Sequence, residues 1–462
     1  MCKLIFALFQ RTILSHLKKW SDEPERKPLI LRGARQVGKT SIVNLFGQSF
    51  KQYIYLNLET RIDKVAFKTS LDIHRLVQSI FLIYKKQLKE KENTLIFIDE
   101  IQEYPEAINM LRYFYEDYPE IRVIAAGSLL ETIFNSGRSF PVGRVDYMVM
   151  RPFSFPEFLE AIGESMALEQ LKNIPLNEFA HDHLLRLFHT YAIIGGMPEI
   201  VQRYAKDKDL TSLSAIFNRL LVAYQDDVEK YGKNDHWVRI IRYCIRTSFI
   251  EGGRRIKFQR FGESNYSSKE IGEALRTLEQ TFLLCLLYPT IDTTLPLKPD
   301  LRKSPRLQVL DTGIMNHFLG IQAEILGTAD LNDVYKGTII EHLVGQELLA
   351  CQFSPLDQLH FWVREKSTAT AEVDYVYPFK SQLIPIEVKS GKEGKLKSLH
   401  LFMDQTSHDM AIRFYAGQLS LTTPITPSGK PYRLLSLPYY LASQTEQYID
   451  WLKRHPTAPP HP

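Results

Sequence analysis

Cysteine is scarce in this 462-residue chain: only Cys2, Cys244, Cys285 and Cys351, scattered and without a C-x-x-C pair. That excludes a disulfide-stapled scaffold or a cysteine zinc site as the organising device, and points to reduced thiols in a cytoplasmic setting. Charge of one sign is also lacking. Lys and Arg number 57 against 53 Asp and Glu, a net +4, so any basic nucleic-acid surface must be local. Long apolar runs are missing too. "KLIFALF" is far shorter than a membrane span and runs into Gln10 and Arg11, with no small-residue cleavage pattern after it. Neither a membrane anchor nor a signal peptide is expected. An amphipathic helix with Ile5, Leu8, Phe9, Ile13, Leu14 and Leu17 on one stripe suits this stretch. No internal repeat or low-complexity block occurs. What is present, 44% hydrophobic and 24% charged residues, is ordinary for a globular chain of two to four domains.

Against that background one stretch stands out, "PLILRGARQVGKTSIVNLFG" from Pro28 to Gly47. Leu29, Ile30 and Leu31 read as a short buried strand. Gly33-Ala34-Arg35-Gln36-Val37-Gly38-Lys39-Thr40 then fits G-x-x-x-x-G-K-[ST] at every fixed position, and Ser41 onward resumes at helical spacing. Such a loop turns backbone N–H groups onto a phosphate, and the helix N-terminus behind it adds positive dipole. Residues Gly33 to Ser41 are therefore the expected nucleotide cradle, with Lys39 reaching the outer phosphates and the Thr40 hydroxyl holding Mg²⁺.

The second half of such a site is expected from "TLIFIDE", where four apolar residues lead to Asp99 and Glu100 at the C-terminal end of a strand. In a parallel sheet that end faces the phosphate crevice. Asp99 would complete the Mg²⁺ shell and Glu100 would orient or deprotonate the attacking water. "VIAAGSLLE" ends the next strand with Ser128, which either senses the γ-phosphate or caps a helix. "PVGRVDY" places Arg144 after a Pro/Gly loop. It is an arginine finger for a neighbouring subunit of a homo-oligomer, a sensor in its own site, or a solvated surface residue.

Strand-like runs at "PLILRG", "QYIYLNLE", "TLIFIDE", "IRVIAAGS" and "VDYMVM" alternate with helix-length segments. The expected fold class is α/β, with an N-terminal parallel sheet carrying helices on both faces. The expected boundaries are an ATPase domain at 1–150, a helical lid-like region at 151–235 and a winged-helix-like domain at 236–325. An α/β domain at 326–455 and a disordered tail at 456–462 complete the division. In the third of these, Lys269 and Arg276 share a helix face that contacts DNA phosphates or a protein partner, or is purely structural, with a proline-rich wing or linker at 289–305.

Taken together, "RGARQVGKT", "YLNLE", "FIDEIQEYP", "AAGS", "GR" and "RPFSFPEFLE" resemble a family of prokaryotic AAA-type P-loop ATPases. These carry a C-terminal domain of unknown function, which "GGMPEIV", "LQVLDTGIMNHF", "KGTIIEHLVGQELL" and "EVDYV…IPIEVKSG" resemble. The resemblance implies ATP and Mg²⁺ as cofactors. Ser128 departs from it, since many AAA-type ATPases carry asparagine there.

The C-terminal third has its own constellation. Strand alternation puts Glu387 and Lys389 on one face, with Asp374 on the preceding strand and Glu341 on the opening helix. This resembles the PD-(D/E)xK nuclease core. The resemblance implies Mg²⁺ held by Glu341, Asp374 and Glu387, with Lys389 assisting an activated water. Two functions follow as expectations. The first is an ATPase that acts on or is regulated by nucleic acid through a nuclease-like domain. The other is an ATP-dependent regulatory or signalling switch whose C-terminal domain is catalytically silent and binds a protein partner.

Overall fold

The computed structural model describes residues 9, 11–68, 72–127, 143–227, 234–327, 331, 334, 337–366, 369–389 and 396–455. The chain divides into two units. Unit 1 holds residues up to Arg151 together with Gln280–Phe282 and Phe353–Leu356, and unit 2 holds the remainder.

Unit 1 is built on five strands, β1 (Leu29–Arg32), β2 (Gln52–Asn57), β3 (Thr94–Asp99), β4 (Arg122–Ala126) and β5 (Asp146–Val149). Each of the five apolar runs expected from the sequence forms one strand. All pair in parallel, in the order β2-β3-β4-β1-β5. Every residue of β3 is buried, whereas β2, at the edge, alternates between buried and half-buried. Continuous apolar character is what an interior parallel strand covered on two faces requires. The flanking helices are α1 (Ile13–Asp22), α2 (Lys39–Gly47), α3 (Arg61–Lys68), α4 (Ile73–Ile83) and α5 (Glu106–Asp117). Leu76, Val77 and Ile80 of α4 and Ile108, Leu111 and Phe114 of α5 recur at helical spacing. They close over Ile54, Leu56, Ile96 and Ile98, each such side chain stabilising the fold by roughly 1.5–3 kcal/mol. Among the described residues the N-terminal helix runs over Ile13–Asp22, with Ile13, Leu17 and Trp20 buried; Ile5 and Leu8 of the expected stripe lie outside the described residues.

At the far edge of the sheet, Asp146 N donates to Pro28 O at 2.9 Å and Met150 N to Arg32 O at 2.8 Å. Val149 N donates outward to Phe353 O at 2.7 Å, so a segment two hundred positions later (353 − 149 = 204) pairs with this edge.

Unit 2 opens with the helix Phe155–Ala161, started by a capping box of Ser154 and Glu157. Longer helices follow at His181–Ile194, Pro198–Asp207, Ser214–Asp227 and Asp235–Ile250. After the helix Ser268–Gln280, strands β6 (Leu284–Leu287) and β8 (Arg306–Val309) pair antiparallel. The proline-rich segment between them supplies β7 (Pro289–Thr290), which joins a larger sheet. That sheet has seven strands in the order β13-β14-β12-β11-β10-β9-β7. Its members are β9 (His360–Lys366), β10 (Ala369–Phe379), β11 (Gln382–Val388), β12 (Met410–Tyr415), β13 (Ser420–Thr422) and β14 (Arg433–Pro438). The helix Lys397–Met403 covers one face through Leu399, Phe402 and Met403 against Trp362, Val373, Val376 and Leu383. Asp311 ties two of the glycine-bearing motifs together: its buried carboxylate caps the helix Thr312–Leu319 and accepts the Gly196 N–H at 2.6 Å. No described helix is long and apolar enough to cross a membrane.

Candidate functional site

The P-loop joins β1 to α2. Gly33 sits at φ +145°, and a Cβ there would lie 2.2 Å from the carbonyl oxygen of Met150, so a side chain cannot be housed. Gln36 and Gly38 also take positive φ, which turns successive N–H groups toward a common point. Lys39 is buried at the first turn of α2, and its Nζ donates to Gly33 O and Ala34 O, each at 2.8 Å. Its ammonium is thus already held over the loop that would carry the phosphates. Ser41 is exposed on the same turn.

The Thr40 hydroxyl donates to Asp99 Oδ2 at 2.8 Å. The Glu100 N–H donates to Asp99 Oδ1 at 3.1 Å. Asp99 is only 4% exposed, and burial pushes its carboxyl above the ordinary value, against the pull of the Thr40 hydroxyl. A cation beside it would favour the ionised form. Glu100 adopts the left-handed conformation at φ +50°, uncommon for a non-glycine residue, and Gln102 Nε2 donates to its carboxylate. Strain at such a position is characteristic of residues aimed for chemistry. These residues fit a nucleotide with Mg²⁺: a side-chain-free cradle, a buried lysine, and a hydroxyl–carboxylate pair whose hydroxyl keeps its lone pairs for a metal.

Ser128 lies outside the described residues. Arg144 is half-exposed, and its Nε pairs with Glu116 Oε1 of α5 at 2.6 Å. Because β5 runs parallel to β1 with Asp146 opposite Leu29, Arg144 sits where the strands begin, and the P-loop where β1 ends. One residue that sequence reasoning missed belongs to the site. Tyr55 of β2 donates its hydroxyl to Asp99 Oδ2 at 3.1 Å.

In unit 2 the structure brings Glu341, Asp374, Glu387 and Lys389 into one cluster. Register shifts between Val373 and Val376 in the pairing of β10 with β9, a bulge that re-aims Asp374. Asp374 Oδ2 accepts the Val388 N–H at 2.7 Å, and Lys389 Nζ lies 2.7 Å from Glu387 Oε1. Burial, followed by the charge of Asp374, raises both Glu341 and Glu387 above the ordinary carboxyl range. For Lys389, Glu387 and Asp374 overcome the burial that would lower it, and the ammonium is stabilised.

Arg306 of β8, 5% exposed, enters this cluster unannounced. Its Nη1 donates to Asp374 O at 3.0 Å and lies 3.9 Å from Glu341 Oε2; its Nη2 lies 3.7 Å from Asp374 Oδ1 and binds Glu372. Among the described residues no group of three or more His, Cys, Asp or Glu is arranged to hold a metal ion. Arg306 and Lys389 set two positive charges among the carboxyl groups of Glu341, Glu372, Asp374 and Glu387.

A parallel sheet with its P-loop at the end of β1 and a Thr40–Asp99 pair across the crevice defines the class: a P-loop ATPase domain. Its kind follows from sequence comparison, since residues 25–159 match a family described as an AAA domain. Residues 25–159 are thus similar to an AAA-type ATPase domain, which supports ATP binding by unit 1. Residues 185–325 and 336–426 match two families described as domains of unknown function, DUF8612 and DUF4143. No curated protein matches the chain. Among solved structures, the Walker-type ATPase PABY2304 of Pyrococcus abyssi is 15% identical, with a TM-score of 0.43 over 67% of this chain and 96% of that one. The Aeropyrum pernix ORC1 protein in complex with DNA is 14% identical, with a TM-score of 0.27 over 69% and 94%.

Proposed function

We propose that the chain is an ATP-hydrolysing switch. Lys39 and the loop N–H groups hold the phosphates, Thr40 and Asp99 hold the metal, and Glu100 orients or deprotonates the water. Mg²⁺ supplies neutralisation of phosphate charge. The observation that carries this reading is the hydrogen-bonded Thr40–Asp99 pair with strained Glu100 beside it. Lys39→Ala should abolish ATP binding. Glu100→Gln should keep binding while slowing hydrolysis by roughly 10²–10⁴-fold, and a Glu100→Gln rate equal to wild type would remove Glu100 from the chemistry.

For the C-terminal cluster the reading supported best is a nuclease-like fold that does not cleave, because Arg306 and Lys389 already pair with the carboxylates a cation would need. Metal-dependent cleavage of nucleic acid by Asp374, Glu387 and Lys389 is the competing reading, supported by their convergence. Calorimetric titration with Mn²⁺ separates the two. Binding that disappears in Asp374→Asn and Glu387→Gln favours the nuclease, and no binding favours the silent fold. A winged-helix-like reading of 236–325 is supported by the helix Ser268–Gln280 followed by the β6–β8 pair, with Lys269 and Arg276 exposed. Charge reversal of both residues should lower DNA affinity and its salt slope if that face binds DNA.

A further inference from the structure

Asp99 carries more hydrogen bonds than the P-loop pattern demands. An ionised carboxylate offers about four lone-pair sites. Oδ2 takes two donors, the hydroxyls of Thr40 and Tyr55, and Oδ1 takes the Glu100 N–H. That leaves a single direction, on Oδ1, open to a cation or its bound water.

We propose that Tyr55 is a positioning residue for the metal-binding carboxylate: its hydroxyl fixes the rotation of Asp99, so that the open lone pair and the Thr40 oxygen converge on one metal position. This rests on the ATP-site reading above.

The fold supplies the geometry. Asn57 of β2 is in register with Asp99 of β3, so Tyr55, two residues earlier, shares the face of Asn57 and reaches along the strand. Tyr53, on the same face, donates its hydroxyl to Asn44 of α2 at 2.5 Å, which sets that face toward the P-loop helix. The Tyr55 ring lies 5.5 Å from Phe97, so the phenol is held by packing as well as by its hydrogen bond. Without the hydroxyl, Oδ2 would have one free site and the carboxylate could turn away from the metal.

The test is calorimetric and needs no turnover. ATP is titrated into wild-type, Tyr55→Phe and Tyr53→Phe chains, with excess Mg²⁺ and with chelator. In chelator the three should bind ATP alike. With Mg²⁺, Tyr55→Phe should bind roughly tenfold more weakly than wild type, the usual scale for losing a partner of a metal ligand, while Tyr53→Phe keeps the wild-type gain. Equal weakening of Tyr55→Phe with and without Mg²⁺ would make Tyr55 merely structural, and no weakening would dismiss it. A wild-type chain whose ATP affinity ignores Mg²⁺ would instead overturn the Thr40–Asp99 reading itself, and this inference with it.

Discussion

Replacing Glu347 by glutamine changes one atom type at a fully buried position, and its outcome follows from proton counting. Glu347 lies on the helix Thr338–Ala350. Its two oxygens accept the Phe155 N–H at 3.1 and 3.0 Å, and Oε1 also accepts the Tyr191 hydroxyl at 2.8 Å. Burial pushes its carboxyl from 4.5 up to about 8, against the pull of the Phe155 N–H and the Tyr191 hydroxyl. Between those two values the folded chain holds a proton that the unfolded chain has released. The group's contribution is therefore complete below the unfolded value and is lost as pH rises toward the folded one. The slope is about 1.4 kcal/mol per pH unit, which amounts to roughly 3 kcal/mol by pH 7. Glu347→Gln keeps the shape of the protonated acid but cannot titrate. Its single acceptor oxygen serves the N–H and the hydroxyl less well, at a cost of about 1 kcal/mol. The variant should thus be slightly less stable than wild type at pH 5 and more stable above about pH 6. Asp311, Glu341 and Glu387 are raised as well and tilt both curves alike, so the difference isolates Glu347. Urea unfolding followed by tryptophan fluorescence across pH 5–8 measures it. Parallel curves would mean that Glu347 is ionised in the folded chain, and the burial argument would be refuted.

Other perturbations follow directly. Gly33→Ala should destabilise unit 1 by roughly 1–3 kcal/mol, because an unhoused Cβ is forced onto the Met150 carbonyl; calorimetric melting would show an unchanged transition if the cradle were relaxed. Mixing Arg144→Ala with Lys39→Ala chains should restore some hydrolysis if Arg144 serves a neighbouring subunit, as its place at the opposite end of the strands from its own P-loop favours. Co-assembled mixtures that stay inactive argue against that role. Arg306→Met should cost about 3–5 kcal/mol by leaving buried carboxylates uncompensated, and Glu372→Gln should recover part of it, as urea midpoints would report.

Much of unit 1 was legible in the sequence because its information is local. A phosphate-binding loop is seven or eight consecutive residues with fixed backbone demands, and parallel strands announce themselves as short apolar runs. The strand order and the partners across it were not legible. Tyr55 reads as an unremarkable aromatic of an edge strand until the register sets Asn57 beside Asp99. Arg306 reads as a charge opening a short strand, and only tertiary packing carries it among Glu341, Glu372 and Asp374. In the C-terminal sheet, β9 to β12 were visible as alternating or apolar runs. The two-residue β7 and three-residue β13 are too short to carry a period. The E-x-K spacing singled out Glu387 and Lys389 at the end of a strand, yet spacing along the chain cannot say what stands opposite them.

The bond from Val149 to Phe353 has a consequence for how the protein is born. Unit 1 takes its last residues from Phe353–Leu356, so 205 further residues (356 − 151) must be translated after Arg151 before its outer edge is covered. At about 5–20 residues per second, that is a wait of roughly 10–40 s. During this interval a nascent chain that already carries the P-loop presents β5 with its Val149 N–H unmatched, the kind of open edge that invites foreign strands. A fragment ending at Arg151 would be frozen in that condition. Translation order thus makes the first domain in the sequence among the later ones to be finished.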